Sequence, residues 1–197
     1  MSRWEPNARG RLEQSALELY GENGFESTTV AQITKRAGLT ERTFFRHFAD
    51  KREVLFAGAS ALQELLVSKV RDAPASAPPM AAIATALTEV ADAIFEQRRE
   101  FARQRQAVIA ATPELQEREL IKLAALAAAS AEALRERGVA DPTASLAAEA
   151  GIAVFKIAFE RWVEANGAHT LSQLIRESVD ELKLVTAGQG LPDTVPG

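Results

Sequence analysis

The sequence contains no cysteine, a single tyrosine and only two histidines among 197 residues. Without cysteine there is no disulfide framework, no thiolate metal site and no cysteine nucleophile, and the chain suits a reducing cytoplasm. No apolar run approaches the roughly 20 residues that cross a bilayer, and the N-terminus lacks the apolar core of a signal peptide. We therefore expect a cytoplasmic protein that is not exported and has no membrane partner.

Motifs of catalysis and metal binding are also missing. His47 and His169 lie far apart, and neither belongs to a Glu-x-x-His or His-x-x-x-His pair. The chain has no phosphate-binding glycine loop and no Gly-x-Ser-x-Gly elbow. The sequence therefore predicts no catalytic residue, no metal and no cofactor. A helical-bundle enzyme remains the alternative, which turnover of a bound compound would support.

Helical spacing of apolar residues runs through almost the whole chain, and we find no strand pattern longer than a few residues. Hydrophobic residues make up 47% of the chain, enough to form a real core. The fold class is therefore predicted as all-α. Caps, prolines and glycines predict helices over about 8–22, 30–37, 51–71, 79–98, 100–111, 113–137, 142–165 and 171–185, and a short helix that begins after Thr40 and contains Phe44 and Phe48.

A Pro/Ala-rich break at 72–80, "DAPASAPPM", interrupts helical contacts and marks a boundary between structural regions. We predict an N-terminal domain over 1–56 and a larger helical domain over 57–186, joined by a long helix. The last segment, 187–197, is predicted to be a disordered tail.

A basic cluster stands out in this acidic chain, whose formal net charge is −4. Residues 35–52 carry six Lys or Arg and two acidic residues. Thr29 with Gln32 forms a capping-box pattern, Gly38 ends that helix, and Thr40 can cap the next. Phe44 and Phe48 are four apart and face inward, so the basic side chains project outward. A solvated helix face is the plain alternative, but two short helices around a tight turn describe a helix-turn-helix.

The segment "GFESTTVAQITKRAGLTERTFFRHFADKREVLF" resembles the N-terminal domain of TetR/AcrR-type transcriptional regulators. The resemblance runs from about Arg9 to Leu55 and rests on the Gly-Phe, Thr-Thr-Val, Ala-Gly and His-Phe elements at fixed spacing. It implies a three-helix DNA-binding domain joined to a ligand-binding and dimerisation domain. The implied function is a homodimeric repressor that binds a palindromic operator and is released by a small molecule. A DNA-bound architectural protein without a ligand is the other alternative, although about 125 further residues argue against it.

The resemblance also implies roles for individual residues. Those at phosphate-contacting positions are Thr29, Thr40, Thr43, His47 and Lys51, and those at base-reading positions are Glu41, Arg42 and Phe45. The family commonly has tyrosine where this chain has Phe45, so a hydroxyl is missing, although the ring can press on a thymine methyl. Arg42 can read guanine. Glu41 can accept a hydrogen bond from cytosine or hold a neighbouring arginine.

The helix over 144–163 is apolar nearly all round, which indicates burial on several sides. The resemblance implies a dimer interface built from the last two helices. We predict that this interface contains Ile152, Phe155, Phe159, Trp162 and Leu174. The alternative is an ordinary core helix.

A ligand site is predicted at Arg98, Phe101 and Arg105. On one continuous helix these residues would share a stripe with Ile94 and Val108, and a buried arginine needs an anionic partner. That partner can be Glu114 or Glu117, or the carboxylate or phosphate of an amphipathic ligand. A helix break near 99–100 would remove the stripe.

Overall fold

The computed structural model describes residues 7–165 and 167–188, and within these ranges the chain is helical without a strand. The α-helices are α1 (Ala8–Asn23), α2 (Val30–Ala37), α3 (Glu41–His47), α4 (Ala59–Asp72), α5 (Pro79–Ile94), α6 (Arg99–Ala110), α7 (Pro113–Glu136), α8 (Thr143–Glu164) and α9 (Leu171–Thr186), with a 3₁₀ helix at Glu96–Arg98. The all-α prediction is confirmed.

The helices form two compact units that do not follow the predicted domain boundaries. The first unit combines the chain up to Ala61 with residues 100–122, and the second combines residues 62–99 with the chain from Leu123 onward. Segment 100–122 was predicted to belong to the larger domain, but it clusters with the N-terminal helices. Of the predicted tail at 187–197, residues 189–197 lie outside the described residues.

Most helix starts follow the predicted caps. Thr29 and Thr170 each form a complete capping box, with Gln32 and Gln173 respectively. The Thr40 side chain accepts from the Thr43 amide at the start of α3. These caps satisfy amides that have no partner inside the helix, so they fix where each helix begins.

The prediction of one helix from Lys51 to Arg71 was wrong in its first part. Asp50 does accept from the amides of Arg52 and Glu53, as a cap would. The Glu53 carboxylate, however, accepts from Arg118 at 2.9 Å instead of returning to the cap. Residues 51–58 form a series of tight turns with i to i+3 hydrogen bonds, and α4 begins only at Ala59.

The core of the first unit is built around aromatic side chains of α3 and the turns that follow it. Phe44 and Phe48 are buried, as predicted, among apolar residues of α1 and α2. Three side chains from a distant part of the sequence complete this core, namely Val108, Ile109 and Leu115. The apolar stripes of three short helices are therefore covered by α6 and the start of α7.

In the second unit α5, α8 and α9 pack against one another. Gly151 lies at a close approach of α8 to α5, because a Cβ atom there would stand 2.2 Å from Cγ2 of Ile83. Ile83 is fully buried and β-branched, so it has little freedom to move aside. Among the described residues, no helix is both long enough and apolar enough to cross a membrane.

The close approach at Gly151 yields a matched pair of substitutions. Gly151→Ala should destabilise the second unit by about 1–3 kcal/mol through overpacking against Ile83. Gly21→Ala, on α1 with no atom near the added methyl, should stabilise by about 0.5–1 kcal/mol because alanine favours helix. Urea unfolding monitored by circular dichroism measures both, and a Gly151→Ala midpoint at or above wild type would contradict the packing.

Candidate functional site

The turn between α2 and α3 is held from both sides. Gly38 ends α2 with φ 65°, a left-handed conformation that glycine adopts without strain, and the Leu39 amide donates to the Thr34 carbonyl. From α1, Nε of Arg11 donates to the carbonyl of Ala37 at 3.1 Å. The last carbonyls of α2 are thereby satisfied, and the angle between the two helices is fixed.

The burial of Phe44 decides which side of α3 faces solvent. Its neighbour Phe45, about 100° further round the helix, has 55% of its surface exposed. The two rings meet edge to face at 5.4 Å and 82°, which holds the exposed ring in place. Arg42 and Arg46 are also exposed, so α3 presents one aromatic ring between two cations.

The six basic residues of the cluster divide into two groups. Three are engaged within the protein: Arg36 donates to both oxygens of Glu22 at 2.6 and 2.7 Å, Arg52 pairs with Asp50 and Glu114, and Lys51 donates to backbone carbonyls. Within residues 7–165 and 167–188, the other three make no ion pair and are exposed or nearly so, namely Lys35, Arg42 and Arg46.

Cations elsewhere in the first unit are largely neutralised by neighbouring carboxylates. The ion pairs are Arg9 with Glu13, Arg105 with Glu119, and Arg118 and Lys122 with Glu53. The exposed cations without an ion pair in the described part of this unit therefore lie on α2 and α3. In the described part of the chain Glu41 pairs with neither Arg42 nor Arg46, so the interpretation of Glu41 as their structural partner lacks support.

Three threonine hydroxyls stand at the starts of these two helices. Thr29 accepts from the Gln32 amide and lies 3.1 Å from the Gln32 side-chain oxygen, so its proton is engaged. The hydroxyl oxygens of Thr40 and Thr43 lie 3.1 Å apart. Because this contact uses one of their two protons, one O–H remains for an external acceptor.

Lys51 is placed differently from what a phosphate contact requires. Its ammonium nitrogen donates to the carbonyls of Phe25, Glu26 and Thr28 at 2.8, 3.1 and 3.0 Å. It also lies 4.4 Å from the centre of the Phe25 ring. The phosphate contact of Lys51 stays a prediction, but its three protons are already used.

The backbone of Lys51 is anchored as firmly as its side chain. The Tyr20 hydroxyl donates to the Lys51 carbonyl at 2.6 Å. Burial, assisted by the charge of Asp50, raises the pKa of Tyr20, so this hydroxyl stays a proton donor. Burial alone would raise the pKa of Asp50, but hydrogen bonds from Arg52 and from two backbone amides hold it below its usual value.

His47 is exposed at the end of α3, and its ring lies 6.2 Å from that of Phe48. This position is compatible with an external partner, and its DNA contact stays a prediction. The sequence did not reveal the role of Arg52, which pairs with Asp50 and Glu114. Its partner Glu114 lies 62 residues away, beyond the reach of local patterns.

The premises of the predicted ligand site at Arg98, Phe101 and Arg105 fail in two respects. The continuous stripe is absent, because α5 ends at Ile94 and a 3₁₀ helix precedes α6. Arg105 already has an anionic partner in Glu119, at 3.0 Å, rather than Glu114 or Glu117. It also donates to the Leu55 carbonyl and stacks over Phe56. Burial lowers the pKa of Arg105, and the Glu119 charge acts against this.

The predicted dimer residues require a correction. Ile152, Phe155, Trp162 and Leu174 are buried within the single chain, and Phe159 is partly buried. The rings of Phe155, Phe159 and Trp162 surround Phe95 at 5.7 to 6.1 Å. These side chains fill the core of the second unit, as the alternative of a core helix proposed. The apolar residues of α8 that remain open are Leu146, Ala153 and Ile157.

No group of three or more His, Asp or Glu side chains that could hold a metal ion occurs in the described part of the chain.

Comparison with known families gives two matches that together span most of the chain. Residues 14–57 match the profile described as "Bacterial regulatory proteins, tetR family". Residues 77–187 match the profile of the MftR C-terminal domain. The first covers the helices of the candidate site, and the second covers more than half of the chain.

Individual relatives agree with these profiles. The HTH-type transcriptional regulator TcmR of Streptomyces glaucescens is 40% identical over 82 residues, which span 42% of this chain and 36% of that protein. The match therefore covers about a third of the length of that relative.

Solved structures share the fold over nearly the full chain. SmeT of Stenotrophomonas maltophilia, in its triclosan complex, has a TM-score of 0.64 at 21% identity and covers 96% of this chain and 97% of its own. FadR of Bacillus subtilis, in complex with stearoyl-CoA, has a TM-score of 0.62 at 18% identity and covers 92% and 99% respectively.

Proposed function

Because this chain belongs to the TetR family of bacterial regulatory proteins, we propose that it is a transcriptional repressor that binds duplex DNA through α2 and α3. The observation that carries the proposal is the division of the basic cluster. Among the described residues of the first unit, the exposed cations that lack an ion pair are Lys35, Arg42 and Arg46. Unpaired cations on one surface are what a phosphate backbone attracts.

The side chains that α3 exposes suit two different roles, contact with base edges and contact with phosphates. Arg42 carries a guanidinium fork that matches the acceptors of guanine in the major groove, and the exposed Phe45 ring can contact a thymine methyl. Glu41, which has no internal partner among the described residues, can accept from cytosine. The free hydroxyl proton of the Thr40–Thr43 pair suits a phosphate oxygen, as does His47 at the edge of the surface, whereas Thr29 would have to release its proton from Gln32 to make its proposed contact.

The protein is proposed to act as a homodimer on a near-palindromic operator. Two symmetric copies of α3 in successive major grooves require half-sites about 34–36 Å apart, or a multiple of that. The supporting observation is the open apolar stripe of α8. Leu146, Ala150, Ala153 and Ile157 follow one another at i, i+4, i+7 and i+11, so they share one side of the helix.

The neighbouring helix extends this stripe. α8 and α9 are joined by a short connection and run antiparallel, and Arg161 of α8 pairs with Glu177 of α9 at 2.8 Å. In an antiparallel pair, seven residues before Arg161 on α8 lie at the same height as seven residues after Glu177 on α9. Leu184 therefore lies beside Val154, next to the exposed Ala153. Leu184 is 46% exposed, so the open apolar surface spans both helices.

An effector is proposed to bind in the second unit, which exceeds what DNA binding requires. Its aromatic cluster contains the fully buried Trp162, whose indole nitrogen has no hydrogen-bond partner in the described structure. An unsatisfied buried donor costs about 1–3 kcal/mol, and a small molecule bearing an acceptor would satisfy it. Arg105, which was predicted to bind the ligand, already donates to Glu119 and to the Leu55 carbonyl, so it is a weaker candidate for this contact than Trp162.

Salt dependence tests whether the unpaired cations meet DNA. With the intergenic DNA beside its own gene as probe, Lys35→Ala and Arg46→Ala should each lower the slope of log K against log salt by about one. Arg36→Ala is the matched control: Glu22 already neutralises this arginine, so its slope should stay at the wild-type value. Equal losses at Arg36 and Arg46 would contradict the assignment, and absence of wild-type binding to any duplex would overturn the function.

Sequence selection tests Arg42. Arg42→Ala should weaken binding to the preferred duplex by about 1–3 kcal/mol and relax the preference at one position of each half-site. Binding selections from a randomised duplex library, performed in parallel with Arg46→Ala, measure this. A uniform weakening across all sequences would show that Arg42 contacts phosphate rather than a base.

The dimer surface is tested by placing a charge in the stripe of α8. Ile157→Glu should weaken association by about 3 kcal/mol or more, which is more than hundredfold, because an unpaired carboxylate would be buried. Lys156→Glu introduces the same residue about a quarter turn off the stripe and should leave the mass unchanged. Light scattering at micromolar concentration measures the mass of both variants. A dimeric Ile157→Glu protein would show that another surface forms the dimer.

A further inference from the structure

The segment that leads into α2 has no helix or strand of its own. Residues 24–29 connect the end of α1 to the first turn of α2. Backbone groups in such a segment need partners from elsewhere. Where this segment lies determines where the Thr29 cap and the first amides of α2 are presented.

Three carbonyls of this segment share one partner, the side chain of Lys51, which lies 23 to 26 residues further along the sequence. The ammonium of Lys51 donates hydrogen bonds to the carbonyls of Phe25, Glu26 and Thr28 at 2.8 to 3.1 Å. An ammonium has three protons, and three acceptors surround this one. The Phe25 ring, 4.4 Å away, covers it further.

Two hydroxyl groups bind both ends of this arrangement to α1 and to Gly24, the residue that follows this helix. The Tyr20 hydroxyl donates to the Lys51 carbonyl at 2.6 Å. The buried Thr28 hydroxyl donates to the carbonyls of Leu19 and Gly24 at 3.2 and 2.9 Å. Thr28 directly precedes the cap residue Thr29, so the start of α2 is tied to α1 and to Lys51 together.

We infer that Lys51 is a positioning residue for DNA binding: it holds residues 25–28 through their carbonyls and so sets the place of the α2 N-terminus, rather than contacting a phosphate itself. This inference rests on the proposed function for its DNA readout only. The position of the segment is a property of the free protein and can be measured without DNA.

The structural arm of the test uses hydrogen exchange on the full, DNA-free protein. Lys51→Met keeps the length of the side chain but removes all three donors. Amides of residues 25–32 should exchange about tenfold faster, while those of α8 and α9 stay unchanged. Lys35→Met, which removes an exposed cation without a partner, is the control and should leave all of these rates alone. Unchanged exchange in Lys51→Met would overturn the inference.

The binding arm compares Lys51→Met with Lys51→Arg on the operator duplex. Arginine binds phosphate at least as well as lysine. Its planar guanidinium, however, cannot replace the compact ammonium that donates to three surrounding carbonyls. Both variants should therefore lose about tenfold in affinity, with exchange at 25–32 accelerated in both. Full affinity in Lys51→Arg, together with a salt slope lowered by about one in Lys51→Met, would instead establish a phosphate contact.

If Lys51→Met fails to fold, Tyr20→Phe replaces it in the exchange measurement. This variant releases the Lys51 carbonyl but leaves the ammonium and its charge in place. Faster exchange at 25–32 supports the positioning role, and wild-type exchange contradicts it. If the wild type binds no duplex, the proposed function fails while the exchange result still decides the role of Lys51.

Discussion

The burial of the Phe44 ring is the contact on which the candidate DNA surface depends. α3 has only seven residues, and a helix of that length is not stable alone in water. Phe44 is fully buried and packs on Phe48 at 5.4 Å, so tertiary packing maintains the helix. At about 100° per residue, fixing Phe44 inward places Arg42, Phe45 and Arg46 outward. One buried ring therefore both stabilises α3 and determines what it presents.

The electrostatic pattern explains how an acidic chain can present a cationic surface. The net charge of the chain is −4. Most carboxylates of the first unit form ion pairs with arginines, so they do not cancel the positive potential of the cations on α2 and α3. Charges more than about 8 Å away are strongly screened at physiological ionic strength. A nucleic acid at the α2–α3 surface would therefore sense the local unpaired cations, and the sign of the whole chain would matter little.

The sequence predicted the structure correctly where a feature depends only on residues a few positions apart. The caps at Thr29, Thr40 and Thr170 were predictable because they act over three residues. The start of α4 was not, because Glu53 is drawn away by Arg118, 65 residues further along. The orientation of α8 was not predictable either, since a helix that is apolar all round does not indicate which side faces inward. Ile157 is left open, while Ile152 and Trp162 are buried.

The placement of segment 100–122 in the first unit has a consequence for synthesis on the ribosome. The N-terminal core lacks Val108, Ile109 and Leu115 until translation has passed them. At about 5–20 residues per second, the 61 residues that separate Ala61 from Lys122 take roughly 3–12 s. During that interval the nascent helices α1 to α3 carry an uncovered apolar side, and it is closed only after the first part of the second unit has emerged.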